Sequence, residues 1–211
     1  MDSYKITIEA FDKMASAYQD KFMHLDLYDD TYDSFCELIQ KVNPKVLEIG
    51  CGPGNITRYL LMKRPDFRID AIDLAPNMIK LAQENNPNAN FKIMDGREID
   101  KLTEKYDAII GGFCLPYLSK TDCAKLIKDS SFLLNRGGIF YFSTIEGNYQ
   151  DSGYEISSSG QDKAYVYYHQ EDYLQAGLKE NNFKLLNLIR KHYLKPDKTP
   201  STHMIFIAQK N

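Results

Sequence analysis

The chain has 211 residues, with 26 basic and 29 acidic side chains and a formal net charge of −3 at pH 7. This length and the 43% hydrophobic content are those of one globular domain, which we assign to residues 1–211. No apolar run approaches the ~20 residues that span a bilayer, the start lacks a secretory core, and no strongly basic surface for nucleic acid is indicated.

The four cysteines form no C-x-x-C pair and no metal-ligand pattern with histidines. We therefore expect a reduced, cytoplasmic protein and assign no metal-ligating residue; the sequence leaves open whether a metal is needed.

Residues 1–41 are predicted to form an N-terminal helical cap, because Phe35, Leu38 and Ile39 recur at helical spacing. The middle of the chain then alternates between short apolar runs and helical patterns. Strands are predicted at 45–49, 68–73, 91–94, 106–110 and 139–143, and helices at 56–63, 76–85 and 121–134. The last of these helices is expected to stop near Gly137 and Gly138. This alternation predicts βαβ units and a parallel sheet that is covered on both faces.

The last third of the chain has a different character. Residues 146–163 are rich in Gly, Ser, Asp and Gln and are predicted to be a loop. A strand at 164–168, a helix at 171–181 and strands at 183–193 and 202–209 follow. The last two strands are joined by a short connection, so we expect an antiparallel hairpin at one end of the sheet. This divides the chain into a cap (1–41), a cofactor-binding core (42–145), a variable substrate lobe (146–182) and a terminal hairpin (183–211).

The strongest functional signal is the segment from Val46 to Asn55, in which a buried strand runs into a glycine-rich turn and then a helix. Glycines let a ligand approach the backbone closely, and the start of the helix offers free N–H groups. Asp73 ends the next strand, where a carboxylate can accept hydrogen bonds from a ribose diol. Alternatively, the glycines could form only a tight turn that binds no ligand, and Asp73 could only cap the next helix.

Two cofactor classes share this layout. Dinucleotide enzymes carry G-x-G-x-x-G, whereas here Asn55 stands where the third glycine would fall. The run Glu48-Ile-Gly-Cys-Gly-Pro-Gly54 resembles motif I of the class I S-adenosylmethionine-dependent methyltransferases. The resemblance continues through residues 72–78, 94–96, 106–110 and 134–140, and it covers roughly residues 42–145.

The resemblance implies a doubly wound, mostly parallel, seven-stranded sheet in a three-layer αβα (Rossmann-like) fold, with an antiparallel terminal strand. It implies S-adenosyl-L-methionine as the cofactor, S-adenosyl-L-homocysteine as its product, and transfer of a methyl group to an O or N atom of a small organic acceptor. Amino-methylating relatives carry Asn or Asp before Pro-Pro-Tyr after the fourth strand. Here Cys114-Leu-Pro-Tyr117 lacks that polar residue, so nucleic acid is a disfavoured substrate.

The resemblance also implies roles for single residues. Around the methionine part of the cofactor, it places Tyr18, Glu48, Gly50, Cys51, Gly52 and Phe113, with Phe113 facing the sulfonium end. Around the nucleoside, it places Asp73 on the ribose hydroxyls, Leu74 and Met78 near adenine, Asp95 on the adenine amino group and Gly96 against the ring. Ordinary packing for Tyr18 and a turn position for Asp95 are the alternatives.

No catalytic base is assigned. The candidates are His24, His169, His192, His203, Tyr18 and Tyr117, and we expect His192 and His203 on the terminal hairpin to be structural. Most of the 15 tyrosines lie outside the sheet segment, which indicates a lid over a small acceptor or, alternatively, packing between lobes or a homodimer interface. An NAD-dependent oxidoreductase and a non-catalytic regulatory module are the rival functions.

Overall fold

The computed structural model describes residues 2–156, 162–195 and 198–211. Its helices are α1 (Ser3–Lys13), α2 (Ala15–Phe22), α3 (Asp29–Leu38), α4 (Asn55–Lys63), α5 (Pro76–Asn85), α6 (Lys120–Leu133) and α7 (Glu171–Glu180). Its strands are β1 (Lys45–Ile49), β2 (Arg68–Asp73), β3 (Asn90–Ile93), β4 (Tyr106–Gly111), β5 (Leu134–Ile145), β6 (Gly153–Ile156), β7 (Lys163–Val166), β8 (Phe183–Leu194) and β9 (Pro200–Lys210).

The main sheet has seven strands in the order β3-β2-β1-β4-β5-β9-β8. Strands β1 to β5 run parallel, and β9 is antiparallel to both β5 and β8. The central strands are continuous apolar runs, because both faces of a parallel sheet are covered. The predicted α/β fold, with its mostly parallel sheet and antiparallel terminal hairpin, is confirmed.

Helices cover both faces of the sheet. On one face, α3, α4 and α5 pack on β-strand side chains around the fully buried Phe35, whose ring lies 5.9 Å from that of Tyr141. On the other face, α6 and α7 cover a second cluster in which Phe142 and Phe206 stack at 4.8 Å. Two buried clusters on opposite faces of one sheet make the three-layer architecture.

Helices α1 and α2 lie against α5, and α1 also lies against a separate two-stranded sheet, β6–β7. The hydroxyl of Thr7 accepts a hydrogen bond from the amide of Tyr165 at 2.9 Å, and Lys13 pairs with Asp162 at 2.8 Å. The N-terminal cap and the lobe after β5 therefore touch each other. Among the described residues, no helix combines the length and apolar character needed to cross a membrane.

Two sequence predictions are wrong in detail. The predicted loop at 146–163 contains β6 and the first residue of β7, because Tyr154 and Tyr165 pair across a small sheet that rests on α1. Its residues 157–161 lie outside the described part of the chain. Helix α6 ends at Leu133, before Gly137 and Gly138, which lie inside β5. Gly137 has a φ of +78° there, so a glycine is needed at this position because the strand is distorted, not because a helix ends.

Candidate active site

The glycine-rich turn follows β1 and leads into α4. Gly50 and Gly52 have φ values of +69° and +53°, a region that side chains with a Cβ rarely adopt. A Cβ at Gly50 would also lie 2.9 Å from the Cβ of Cys114, so a larger residue does not fit there. The amides of Gly50 and Cys51 donate to the carbonyl of Ile72 at 2.8 and 3.0 Å, which ties the turn to the end of β2.

Asp73, at the end of β2, is held beside the same turn. Its Oδ2 accepts a hydrogen bond from the amide of Gly52 and its Oδ1 accepts one from the amide of Ala75, each at 2.9 Å. Each oxygen keeps a second lone pair that can accept a further hydrogen bond. Burial raises the pKa of Asp73 above its usual range, while the two amides oppose that effect.

Tyr18 on α2 packs over the turn, since a Cβ at Gly52 would lie 3.7 Å from its Cε1. Its ring contacts Phe22 at 4.5 Å and Phe11 at 5.9 Å. Burial and the neighbouring Asp73 raise the pKa of Tyr18 to about 12, so its hydroxyl stays protonated and can donate a hydrogen bond at neutral pH.

Glu48 lies beneath the turn and is 1% exposed. Its Oε2 accepts a hydrogen bond from the hydroxyl of Thr57, while its Oε1 has no partner in the part of the chain that is described. Burial raises the pKa of Glu48 to about 8. The side chain therefore favours its protonated form at pH 7.

Asp95 and Gly96 follow β3. The guanidinium of Arg97 donates hydrogen bonds to the carboxylate of Asp95. Its Nε lies 3.0 Å from Oδ1 and 2.9 Å from Oδ2, and its Nη2 lies 2.6 Å from Oδ2. The same guanidinium lies 4.0 Å from the ring centroid of Tyr4 on α1. A Cβ at Gly96 would lie 2.8 Å from the Cγ2 of Ile49, so Gly96 packs closely on the end of β1. The adenine-binding roles of Asp95 and Gly96 stay predictions.

Leu74 is half-buried next to Asp73, whereas Met78 is 2% exposed. Met78 packs with Ala15 and Ala75, between α5 and the N-terminal helices. Both residues therefore lie on the Asp73 side of the turn, and their proposed contact with adenine stays a prediction.

A cavity of about 680 Å³ opens from the glycine turn, a volume typical of small-molecule sites. Of the predicted residues, five line it: Tyr18, Gly50, Cys51, Gly52 and Phe113. Six others do not line it: Glu48, Asp73, Leu74, Met78, Asp95 and Gly96. The first group forms one wall of the cavity, and the second group lies behind and beside the turn.

Phe113, after β4, has a φ of +58°, and its amide donates to the hydroxyl of Ser143 at 2.8 Å. Its ring lies 4.9 Å from that of Tyr28 and 4.8 Å from that of His203. The rings of Tyr117 and Tyr193 also line the cavity. Phenylalanine and tyrosine rings thus form a substantial part of the walls, as expected for the site of a small organic ligand.

Sequence reasoning missed the wall that the terminal hairpin provides, formed by Tyr193, Lys195, Ser201 and His203. His203, expected to be structural, pairs with Ile145 at the carboxyl end of β5. The signal was present in the predicted hairpin: a strand antiparallel to a parallel sheet begins at the edge where the parallel strands end, and that edge carries the site.

The methyltransferase domain family matches residues 46–138. Among curated proteins, the malonyl-(acyl-carrier protein) O-methyltransferase of Acetivibrio thermocellus is 34% identical over 111 residues, which are 52% of this chain and 38% of that protein. The chain thus spans well under half the length of this relative.

Two solved structures share the fold. The magnesium protoporphyrin IX methyltransferase of Synechocystis PCC 6803, solved with bound SAH, has a TM-score of 0.73 at 16% identity, with 100% of each chain covered. The 1,6-didemethyltoxoflavin-N1-methyltransferase of Burkholderia thailandensis was solved with 1,6-didemethyltoxoflavin and S-adenosylhomocysteine. It has a TM-score of 0.71 at 18% identity, and the match covers 98% of this chain and 88% of that one.

Proposed function

We propose that the chain is a class I S-adenosylmethionine-dependent methyltransferase, which binds S-adenosylmethionine and methylates a small organic acceptor in the cavity. One observation carries the proposal: the cavity begins at Gly50–Gly52, and the carboxylate of Asp73 is fixed beside the same turn. A cytoplasmic location and a homodimer stay predictions of the sequence.

The residues present fit this cofactor. The positive φ values of Gly50 and Gly52 let a ligand contact the bare backbone, and Tyr18 offers a protonated hydroxyl at the same place. The unused lone pairs of Asp73 suit a ribose diol. When bound, the cofactor would supply a methyl group that is activated by its positively charged sulfur and is transferred to the acceptor by in-line displacement.

The protein's part in such a reaction is to align the acceptor and to exclude water. Alignment alone can contribute about 7–11 kcal/mol to lowering a barrier. The aromatic walls around Phe113 and Tyr117 can hold an acceptor at the end of the cavity that faces the turn. The relatives methylate chemically different acceptors, a malonyl group on a carrier protein or a toxoflavin precursor, so the choice of an O or N atom is part of this proposal.

Calorimetry with S-adenosylhomocysteine and NAD⁺ tests the cofactor. We expect the wild-type protein to bind S-adenosylhomocysteine and to prefer it to NAD⁺. Asp73→Asn should weaken this binding by ~10- to 100-fold, the scale of one hydrogen bond to a charged group. Asp70→Asn is the matched control. Its carboxylate is on the same strand but contacts Lys45, Asn90 and Tyr106 instead, so the affinity should stay within about twofold.

Failure of the wild-type protein to bind S-adenosylhomocysteine at millimolar concentration would refute the proposal, and tighter binding of NAD⁺ would favour the oxidoreductase. Equal weakening by both substitutions would refute the role of Asp73. Methyl-transfer assays with a metabolite panel separate an enzyme from a regulatory module that retains the cofactor site.

A further inference from the structure

The start of β9 brings two unusual polar side chains to the wall of the cavity. Ser201 and His203 are two residues apart on one strand, so their side chains point to the same face of the sheet. Each is 7% exposed, and both line the cavity that begins at the glycine turn.

His203 is held in an aromatic setting. Its Nδ1 shares a hydrogen bond of 2.7 Å with the hydroxyl of Tyr28, and its ring stacks on that of Tyr193 at 5.4 Å and meets Phe113 edge-on at 4.8 Å. Its Nε2 has no hydrogen-bond partner within the described ranges and is not sealed from solvent, so this nitrogen opens to the cavity.

The imidazole is neutral at pH 7. Burial lowers the pKa of His203 to about 4, and the positive charge of Lys195 acts in the same direction. Tyr28 and Tyr193 are the titratable groups in contact with the ring, and burial raises the pKa of Tyr28 above its usual range. Either atom can donate in the bond between Nδ1 and the Tyr28 hydroxyl; in the tautomer in which Nδ1 keeps its proton and donates, Nε2 presents a lone pair.

Ser201 is a second polar side chain on the same strand. Its Oγ is buried and has no hydrogen-bond partner among the residues described, although most buried hydroxyls have one. Tyr193 lies opposite Ser201 in the β8–β9 pair, next to the stacked rings. Because this Oγ atom is sealed from solvent, a ligand on His203 lies next to Ser201 without reaching its hydroxyl in this conformation.

Lys21 on α2 also lines the cavity, but the charged groups that act on His203 itself favour a neutral ligand. Lys195, whose positive charge acts on His203, is already paired with the carboxylate of Glu155 at 2.8 Å, and the hydroxyl of Tyr168 donates to the same oxygen. A carboxylate or phosphate would have to break this pair, whereas an uncharged ring fits between the aromatic walls without doing so.

We propose that the acceptor is an uncharged aromatic ring that bears a hydroxyl group, bound with this hydroxyl on Nε2 of His203 and beside Oγ of Ser201. This assignment rests on the proposed function. During transfer, the acceptor oxygen forms a bond to the methyl carbon, and the sulfur–carbon bond breaks with its electron pair left on sulfur. The hydroxyl proton passes to Nε2, and the imidazolium then releases it to water.

Three related probes test this assignment on protein saturated with S-adenosylhomocysteine: 2-naphthol, naphthalene and 2-naphthoate. Measured by ligand-observed NMR at pH 7, 2-naphthol should bind about two- to tenfold more tightly than naphthalene, the scale of one neutral hydrogen bond, and 2-naphthoate should bind most weakly. In ¹⁵N spectra of the histidine rings, 2-naphthol should change the chemical shift of Nε2 of His203, whereas naphthalene should leave that chemical shift unchanged.

His203→Asn should abolish the preference for 2-naphthol over naphthalene and leave the affinity for S-adenosylhomocysteine unchanged. His192→Asn makes the same substitution at an exposed position of the hairpin and should keep the preference. Should His203→Asn not fold, Tyr28→Phe retains the ring but removes the partner of Nδ1, and it should also reduce the preference.

Equal binding of 2-naphthol and naphthalene by the wild-type protein, or a preference that survives both His203→Asn and Tyr28→Phe, overturns the assignment. Tightest binding of 2-naphthoate overturns it in favour of an anionic acceptor. These outcomes differ from failure of the proposed function, which appears as absent binding of S-adenosylhomocysteine before any probe is added.

Discussion

Replacing Glu48 by Gln should change how the stability of the protein depends on pH. The Glu48 carboxyl is buried beneath the glycine turn, and its pKa rises from 4.5 to about 8 on folding. A raised pKa means that the folded state binds the proton more tightly than the unfolded state. The resulting stabilisation is complete below pH 4.5 and is lost as the pH rises through about 8.

The magnitude follows from one proton. Between these two pKa values, the free energy of unfolding of the wild-type protein should lose about 1.4 kcal/mol per pH unit through this group, on the order of 4–5 kcal/mol in all. Gln copies the shape of the protonated carboxyl, and its oxygen can still accept from Thr57. The variant should match the wild type near pH 5 and be increasingly more stable than it towards pH 8.

Urea unfolding followed by far-UV circular dichroism at pH 5, 6, 7 and 8, without added nucleoside, measures this difference. Other titrating groups, such as the buried His169, whose pKa is lowered to about 4 by burial, act equally on both proteins and cancel. Glu37→Gln, at an exposed position on α3, is the control. A constant difference between Glu48→Gln and the wild type over this range would show that Glu48 is ionised in the folded protein, contrary to the reasoning.

Two further substitutions test the packing. Gly112→Ala would bring its Cβ to 2.2 Å from the Cδ1 of Ile56 and should lower the free energy of unfolding by about 1–3 kcal/mol in urea titrations. Ile56→Val removes that Cδ1, so the double variant should recover most of the loss, and independent, additive effects would contradict the contact. Phe35→Ala, at a fully buried position, should cost about 3–5 kcal/mol, whereas Phe132→Ala, at a 62% exposed position, should cost less than about 0.5 kcal/mol.

The core of the fold could be predicted because its strands are short apolar runs that end at glycines or acidic residues. β1, β2 and β4 lie within one residue of their predicted bounds. The errors lie where local composition and tertiary packing disagree. Gly137 and Gly138 look like a helix end, but pairing with β4 extends β5 back to Leu134. Residues 153–156 look like a loop, but pairing with β7, which itself packs on α1, makes them a strand.

The candidate site divides in the same way. The turn at Gly50–Gly52 and its neighbour Asp73 are close in sequence, and their spacing carries a physical requirement that can be recognised without coordinates. His203 lies far from them in sequence and reaches the cavity only because β9 runs opposite to β5. Its partner Tyr28 comes from a third region, and no spacing rule connects these regions.

The position of β9 between β5 and β8 has a consequence for biosynthesis. On β5, Phe140 and Phe142 face α6 and α7, and Phe142 finds its stacking partner, Phe206, only on β9. While residues 200–210 are still inside the ribosome, the nascent chain holds an apolar strand with an unpaired edge, a form prone to associate with other chains. We expect stalled translation products that end before this segment to depend on chaperones. Once β9 is complete, it pairs with the free edge of β5.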